Sequence, residues 1–585
     1  MQENKDFTYQ DWMQGLSKSS QHLVEDYSKN YKGYQHDSRS IVITYLNFWS
    51  KIAINPHEIQ KINFFLLDYL KSQQEIWNNL FVKSENGENS SGILPEKNDK
   101  RFVAVEWNIP YFNFIKQNYL LTERLAERII SQIEIGDKAR KKMEFYNQHF
   151  MDLFSPANFL ATNPEALNLA FQTKGQSLIN GFQNLVRDIE KGQITQTDES
   201  AFEVGKNLAI TPGAVIFENE LMQLIQYAPA SKEVYETPLL MIPPWINKFY
   251  ILDLQAQNSF VKFFVEKGIT VYVISWKNPC PKTAHLSFDD YVNEGALKAI
   301  EIAKNVSAVQ KINTLGYCLG GTLLGVACAI LSKKEKNNSI NSATLLAAMI
   351  DFIDVGPMGN VIDEALVKKL DRGELLHDGV LHGHDMELAF NLIRSHDLIW
   401  NYAVNSYLKG LRPSAFDVLY WTNDNTNLPA NMYKYYIHRI ILENGLSRKN
   451  ALTICGTQID IGKIEFPVYV IGLTEDYISP AKTVFITTRM VSGPVEFILG
   501  GSGHVMGAIN PPYKNKYGYY LNGKLEGDFD KWKETAQFFE GSWWNAYSEK
   551  LIKQSGKKVP AKKVLGNKTY SVIEDAPGRY VMETC

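Results

Sequence analysis

Residues 311–330, KINTLGYCLGGTLLGVACAI, hold the reading on which the fold turns. A short run of strand character, Ile312 to Tyr317, meets a glycine-flanked cysteine and passes directly into an apolar helical run, GTLLGVACAILS. Gly316-Tyr317-Cys318-Leu319-Gly320 is therefore G-x-C-x-G at a strand-to-helix turn, the setting of a nucleophile elbow. Gly316 and Gly320 answer a steric demand, because the turn is strained and side chains there would keep strand and helix apart. The helix that follows points its N-terminus at Cys318, which favours a thiolate. On its own the motif reads equally as a buried cysteine packed into a glycine-rich turn.

Outward from the elbow, strand-like runs precede it at GAVIFENE, MQLIQYAP, PLLMIPP and TVYVISW, and follow it at SATLLAAMID, FPVYVIGLTED and PVEFILGG. Helical segments separate them, and strands alternating with helices predict an α/β fold, a mostly parallel sheet covered on both faces, over residues 196–585. Asp351 and Phe466 lie 115 residues apart, where a crossover needs only a helix and two short loops. The interval is read as an inserted cap at about residues 352–445, with aromatic helical stretches LIWNYAVNSYLKG and NMYKYYIHRIILENGL, folded over the C-terminal edge of the sheet. After PVEFILGG the pattern gives a loop and a tail ending in APGRYVMETC. Residues 1–195 read as an all-helical domain, from stretches such as HEIQKINFFLLDYLKSQQEIWNNLF and NYLLTERLAERIISQIEI. SENGENSSGILPEKNDK, from Ser84 to Lys100, is polar with Gly and Pro and reads as a mobile surface loop.

A sheet of this kind presents its acid and base after later strands, in the order nucleophile, acid, histidine. Asp476 follows VYVIGLTED and His504 follows VEFILGG. Singly, Asp476 reads as a loop carboxylate capping a helix and His504 as a turn histidine. As an ordered set with Cys318, each beyond a predicted strand, they read as catalytic. An oxyanion hole needs two backbone N–H groups; Leu319 supplies the first. The loop Pro243-Pro244-Trp245-Ile246-Asn247 should supply the second, and since prolines donate nothing, Trp245 or Ile246 gives the N–H, with Ile246 preferred.

Composition narrows the chemistry. Lys and Arg number 61 against 64 Asp and Glu, so the broad positive surface that nucleic acid or anionic lipid would need is absent. No apolar run reaches the roughly 20 residues of a membrane span, and the start of the chain has no secretion-signal pattern. The five cysteines, Cys280, Cys318, Cys328, Cys455 and Cys585, show no metal-ligand spacing and suggest neither a zinc site nor a disulfide framework, which predicts a reducing, cytoplasmic setting. The 30 Tyr, 30 Phe and 11 Trp are enough for a large core or for handling something oily. Cysteine in place of serine points to thioester chemistry, because a thiol attacking a thioester keeps the acyl group activated for a second acceptor.

Long motifs then resemble one family: SPANFLATNPEAL from Ser155, TDESAFEVGKNLAITPGAVIFENE from Thr197, PPWINKFYILDL from Pro243, GYCLGGT from Gly316, DLIWNYAVNSYLKG from Asp397, TNLPANMY from Thr426, SGHVMGAINPP from Ser502 and GSWWNAY from Gly541. From about Arg101 onward the chain is similar to the polyhydroxyalkanoate synthases, and within them to the class I type that polymerises short (R)-3-hydroxyacyl-CoA. The resemblance implies an α/β-hydrolase fold core with an inserted cap, preceded by the helical domain. It implies Cys318 as nucleophile, His504 as general base and Asp476 as its carboxylate partner. Some members carry a smaller residue at Trp245. Asp253, Asp351, Trp400 and Trp421 fall in family-like motifs and are read as packing and hydrogen-bonding residues. No cofactor or metal is expected, CoA being carried by substrate and product. Expected partners are the growing polyester, the granule surface with its associated proteins, and a second copy of the chain, with the helical domain making the contacts and the protein lying in the cytoplasm at granules. A thioesterase or polyester depolymerase using the same three residues, or a non-catalytic granule-coating protein, are the alternatives.

Overall fold

The computed structural model describes residues 48, 55–81, 92–96, 99–335, 338–362 and 364–584. The expectations for residues 1–47, for most of the Ser84–Lys100 loop and for Cys585 lie outside the described residues. The chain forms two compact units, one of Met1–Thr197 with Leu388–Ser414, the other of Asp198–Glu387 with Ala415–Cys585.

Five helices of the first unit are α1 (Pro56–Phe81), α2 (Pro110–Gln132), α3 (Asp137–Leu153), α4 (Pro164–Gln172) and α5 (Gln176–Lys191). Their ends follow local chemistry. Pro110 opens α2 and Pro164 opens α4, where a missing N–H costs nothing, and the Asn163 side chain accepts from Ala166 N–H. Gly192 ends α5 in the left-handed conformation, φ 75°. Trp107 is fully buried, edge-on to Phe102 at 4.8 Å, with its indole N–H donating to Glu165 at 3.3 Å.

The middle of the insertion, residues 388–414, folds with this unit. Of its helical pieces, His396–Trp400, Asn401–Ala403 and Val404–Leu408, the first touches α3 and the last lies on α5. The Asp188 carboxylate accepts from Tyr407 Oη at 2.8 Å while also taking Thr195 N and Oγ1. Asn184 Nδ2 donates to the Ser406 carbonyl at 3.2 Å, and Lys409 pairs with Glu165 at 2.7 Å. A Cβ at Gly181 would stand 1.9 Å from the Tyr407 carbonyl oxygen, so only glycine permits this approach. Trp400 sits half-buried in the same segment.

The second unit is built on one sheet. Its strands are β1 (Gly213–Glu218), β2 (Met222–Tyr227), β3 (Leu239–Ile242), β4 (Val271–Trp276), β5 (Ile312–Tyr317), β6 (Ile340–Leu346), β7 (Val468–Leu473), β8 (Val495–Gly500), β9 (Tyr519–Leu521), β10 (Gln537–Phe539) and β11 (Glu574–Asp575). They lie in the order β10-β9-β8-β7-β6-β5-β3-β4-β2-β1-β11. β3 to β8 are mutually parallel, and the flanking strands pair antiparallel. β2, β4, β5 and β7 are buried along their whole length, as strands covered on both faces are. The three short strands β9, β10 and β11 fall where the sequence suggested only loop and tail. From β3 the chain steps to β4 on one side and then returns to β5 on the other, so the sheet changes its direction of growth between β3 and β5. A crevice forms beyond the C-terminal strand ends at such a point. α6 (Leu319–Glu335) leaves from it, buried along most of its length.

Candidate active site

Cys318 stands between β5 and α6 at the crevice, with φ +53°, a left-handed conformation that costs an ordinary residue about 1–2 kcal/mol. Neighbouring backbone holds it there: its N–H donates to the Leu346 carbonyl at 2.9 Å, and its carbonyl accepts from Gly321 N at 2.9 Å and Thr322 N at 3.3 Å. The two motif glycines permit the turn by close approach. A Cβ on Gly316 would lie 2.4 Å from Gly321 Cα, and one on Gly320 2.1 Å from the Ile242 carbonyl oxygen. Cys318 is buried, and its charge helps raise the pKa of His504.

His504 opens the short helix α7 (His504–Ala508) beyond β8, and Asp476 lies three residues past the end of β7. Asp476 Oδ2 meets His504 Nδ1 at 2.7 Å, with the Asp476 side chain sealed from solvent. Its other oxygen accepts from Ile478 N and Ser479 N, both at 2.8 Å, so three polar partners fix the carboxylate between loop and ring. Burial pushes the His504 pKa down, but Asp476 first and then Cys318 outweigh it and hold it well above 6.5. Of the three residues, drawn from three separate loops, His504 and Asp476 are joined by a hydrogen bond and Cys318 acts on His504 electrostatically.

Two supports were not assigned from sequence. Tyr317, the residue before the cysteine, stacks on the His504 ring (centroids 5.4 Å apart, planes at 26°) and donates its hydroxyl to the His504 carbonyl at 3.2 Å. Behind α7 lies α8 (Trp543–Gln554), whose fully buried Trp543 and Trp544 donate their indole N–H groups to the Gly507 and Ala508 carbonyls at 2.8 and 2.9 Å. These carbonyls belong to the end of a five-residue helix, where no further turn exists to satisfy them. The motif GSWWNAY had flagged the pair without giving it a task. Tyr436 was also missed, hidden in the helical pattern NMYKYYIHRIILENGL. It is buried edge-on to Trp245 at 5.7 Å and to Phe352 at 6.1 Å, and burial, then the charge of Cys318, raise its hydroxyl pKa well above 10.

Leu319 is the first residue of α6. Ile246 lies in the loop after β3, which the insertion stitches in place: Thr426 N donates to the Ile246 carbonyl at 3.3 Å and Thr426 Oγ1 to the Trp245 carbonyl at 2.8 Å. Trp245 is buried among the rings of Phe288, Tyr291 and Tyr436. The other family-motif residues make their hydrogen bonds elsewhere. Asp253 is buried and takes Thr211 Oγ1 and Ser259 Oγ, both at 2.5 Å, with burial raising its pKa above 3.8 against those bonds. Asp351 accepts from Ile353 N and Asn444 Nδ2, both at 2.8 Å. Trp421 donates to the Lys248 carbonyl at 2.7 Å.

Strand order, the cysteine turn after β5, the aspartate after β7 and the histidine after β8 together define the class, an α/β-hydrolase fold with cysteine in the elbow. Residues 237–489 match the alpha/beta hydrolase fold family. Residues 98–264 match the N-terminal family described as poly-beta-hydroxybutyrate polymerase (PhaC) N-terminus. The chain is 41% identical over 519 residues to the poly(3-hydroxyalkanoate) polymerase subunit PhaC of Cupriavidus necator, covering 88% of this chain and 87% of that one. It is 39% identical to the protein of the same name from Rhizobium meliloti, over 83% of this chain and 80% of that one. To the poly(3-hydroxyalkanoate) polymerase of Methylorubrum extorquens it is also 39% identical, over 86% and 84%. The chain belongs to the poly(3-hydroxyalkanoate) polymerase family. Among the described residues, no helix is long and apolar enough to cross a membrane.

Proposed function

We propose that the protein polymerises short (R)-3-hydroxyacyl-CoA, such as 3-hydroxybutyryl-CoA, into polyhydroxyalkanoate through an acyl-Cys318 intermediate, as an acyltransferase. The observation that carries this reading is the hydrogen-bonded pair His504 and Asp476, with Cys318 electrostatically coupled to His504 from the left-handed turn after β5, in a chain of this family. With Nδ1 taken by Asp476, Nε2 of His504 is the nitrogen left to accept the Cys318 proton. The thiolate attacks the thioester carbonyl, the N–H groups of Leu319 and Ile246 receive the oxyanion, and CoA departs with the proton from His504. The hydroxyl of a second 3-hydroxyacyl unit then gives its proton to His504 and attacks the acyl-Cys318 carbonyl, forming an ester and releasing the thiol.

Water must be kept from the acyl-enzyme, and the 352–445 insertion is proposed as the shield. Burial of Cys318, Trp245 and Tyr436 supports it. No cofactor is required, since substrate brings CoA and product is CoA. Granule attachment in the cytoplasm, contact with granule proteins and self-association are assigned to the helical unit. In their support, α1 presents Phe64, Leu67 and Leu70 to solvent, each more than half exposed.

Replacing Cys318 by Ala should abolish CoA release from 3-hydroxybutyryl-CoA, followed by thiol detection. Wild-type turnover in that variant would remove the covalent step, and monomeric 3-hydroxy acid as the unaltered enzyme's product would make water the acceptor.

A further inference from the structure

Lys248 ends the PPWINK stretch just after the proposed oxyanion loop, and it is buried, with a side chain only 1% exposed. Removing an ammonium from water is costly unless its three donors are met. Here they are. Nζ donates to the Val581 carbonyl at 2.7 Å and to the Glu583 carbonyl, and it stands 3.4 Å from Asp424 Oδ1. The second Asp424 oxygen accepts from Tyr250 Oη at 2.9 Å. The backbone of Lys248 is gripped as well, since its carbonyl takes the Trp421 indole N–H at 2.7 Å.

These bonds join four stretches distant in sequence: the loop after β3, the insertion at Trp421–Thr426, the segment Tyr580–Met582 with Glu583, and the strand edge that anchors that segment. Tyr580 Oη donates to the Asn219 carbonyl at 2.8 Å, and β11 pairs with β1 just upstream. A buried ion pair is a poor source of stability compared with packed aliphatic side chains, but it is exacting about geometry. Two carbonyl dipoles and one carboxylate fix where Nζ must lie, and a covalent stem of fixed reach carries that constraint back to the loop.

We propose that Lys248 is a positioning residue for the oxyanion loop: the segment at residues 581–583 acts as a strap that, through the Lys248 ammonium and Asp424, holds the Trp245–Ile246 backbone in place beside Cys318. This rests on the acyl-transfer reading given above. Lys248 touches no reacting atom; its effect passes through the loop. Tightening or release of the strap changes transition-state stabilisation more than substrate binding, because an oxyanion hole is complementary to the tetrahedral intermediate.

The full chain is tested as Lys248→Met, Lys248→Arg, a deletion of residues 581–583, and the deletion combined with Lys248→Met. CoA release from 3-hydroxybutyryl-CoA gives kcat and KM, and iodoacetamide alkylation of Cys318, read by peptide mass, reports on the Cys318–His504 pair. Lys248→Met is expected to lower kcat roughly 10- to 100-fold with KM changed by less than about threefold and alkylation unaltered. Lys248→Arg should recover part of the loss, and the combined variant should fall no further than the worse of its two parents. A kcat for Lys248→Met within about twofold of wild type, or losses that multiply in the combined variant, would overturn the proposal. If Lys248→Met lacks a cooperative thermal transition, the deletion decides alone by the same kcat and alkylation criteria. Cys318→Ala run alongside keeps the two readings apart. Should it release CoA normally, the acyl-transfer reading fails; should it be inactive while Lys248→Met turns over normally, only the strap fails.

Discussion

Burial alone would strip the proton from His504, and the neighbouring Asp476 and Cys318 reverse that outcome. The sign has two consequences. In Asp476→Asn the burial stays while the main opposing charge goes, so the His504 pKa should fall from its raised value, measured from the ring proton shifts. A folded pKa held above the unfolded one stabilises the folded state fully below about pH 6.5, and that contribution is lost as pH rises through the folded value. The difference in thermal midpoint between wild type and Asp476→Asn should therefore be widest near pH 6 and shrink toward alkaline pH; a gap that widens there would show the opposite coupling. Cys318, Asp476 and His504 were legible in the sequence because their order along the chain and their places after strands are local features. Tyr317 and Tyr436 were not. A tyrosine in an apolar run reads as packing, and only the folded chain shows one ring lying on the histidine and another whose hydroxyl feels the charge of Cys318.

At the scale of elements, α7 has little to hold it by itself, with five residues set against β7. α8 supplies the rest through Trp543 and Trp544. Trp543→Phe keeps most of the ring but leaves the Gly507 carbonyl without its donor in a buried site, a loss of about 1–3 kcal/mol in urea unfolding. Trp543→Ala should cost about 3–5 kcal/mol. Because α7 carries His504, CoA release should fall in Trp543→Phe even at temperatures where the variant is fully folded; unchanged turnover would confine the indole to a stabilising role. Strands β3 to β8 were readable as apolar runs bounded by Gly and Pro, since both of their faces are covered. β9, β10 and β11 gave no such signal. Each is two or three residues long, the β10 side chains are exposed, and β11 finds its partner in β1, more than 350 positions away. Length and periodicity carry no information at that size.

At the scale of the whole molecule, the insertion between β6 and β7 is not one body. Residues 388–414 belong to the helical unit, while the stretches on either side belong to the sheet unit. The pattern LIWNYAVNSYLKG shows helical aromatics but not the surface they bury against, which depends on Asp188, Asn184 and Gly181 some 220 residues earlier. Asp188→Ala removes the acceptor of Tyr407 Oη and the anchor of Thr195, so amide exchange across residues 396–409 should speed up by roughly tenfold or more, with 312–335 unchanged. Equal protection in both regions would mean that packing alone holds the segment. The sheet itself ends at both rims in fragments, β11 of Glu574 and Asp575 on one side and the three-residue β10 on the other. Long bare edges invite another chain to add a strand, which is a route to aggregation. Here one rim is closed by two adjacent carboxylates and the other offers three residues of ladder. Molecules crowded together at high local concentration would meet through side chains and helices, and the eleven-stranded sheet would not extend from one copy into the next.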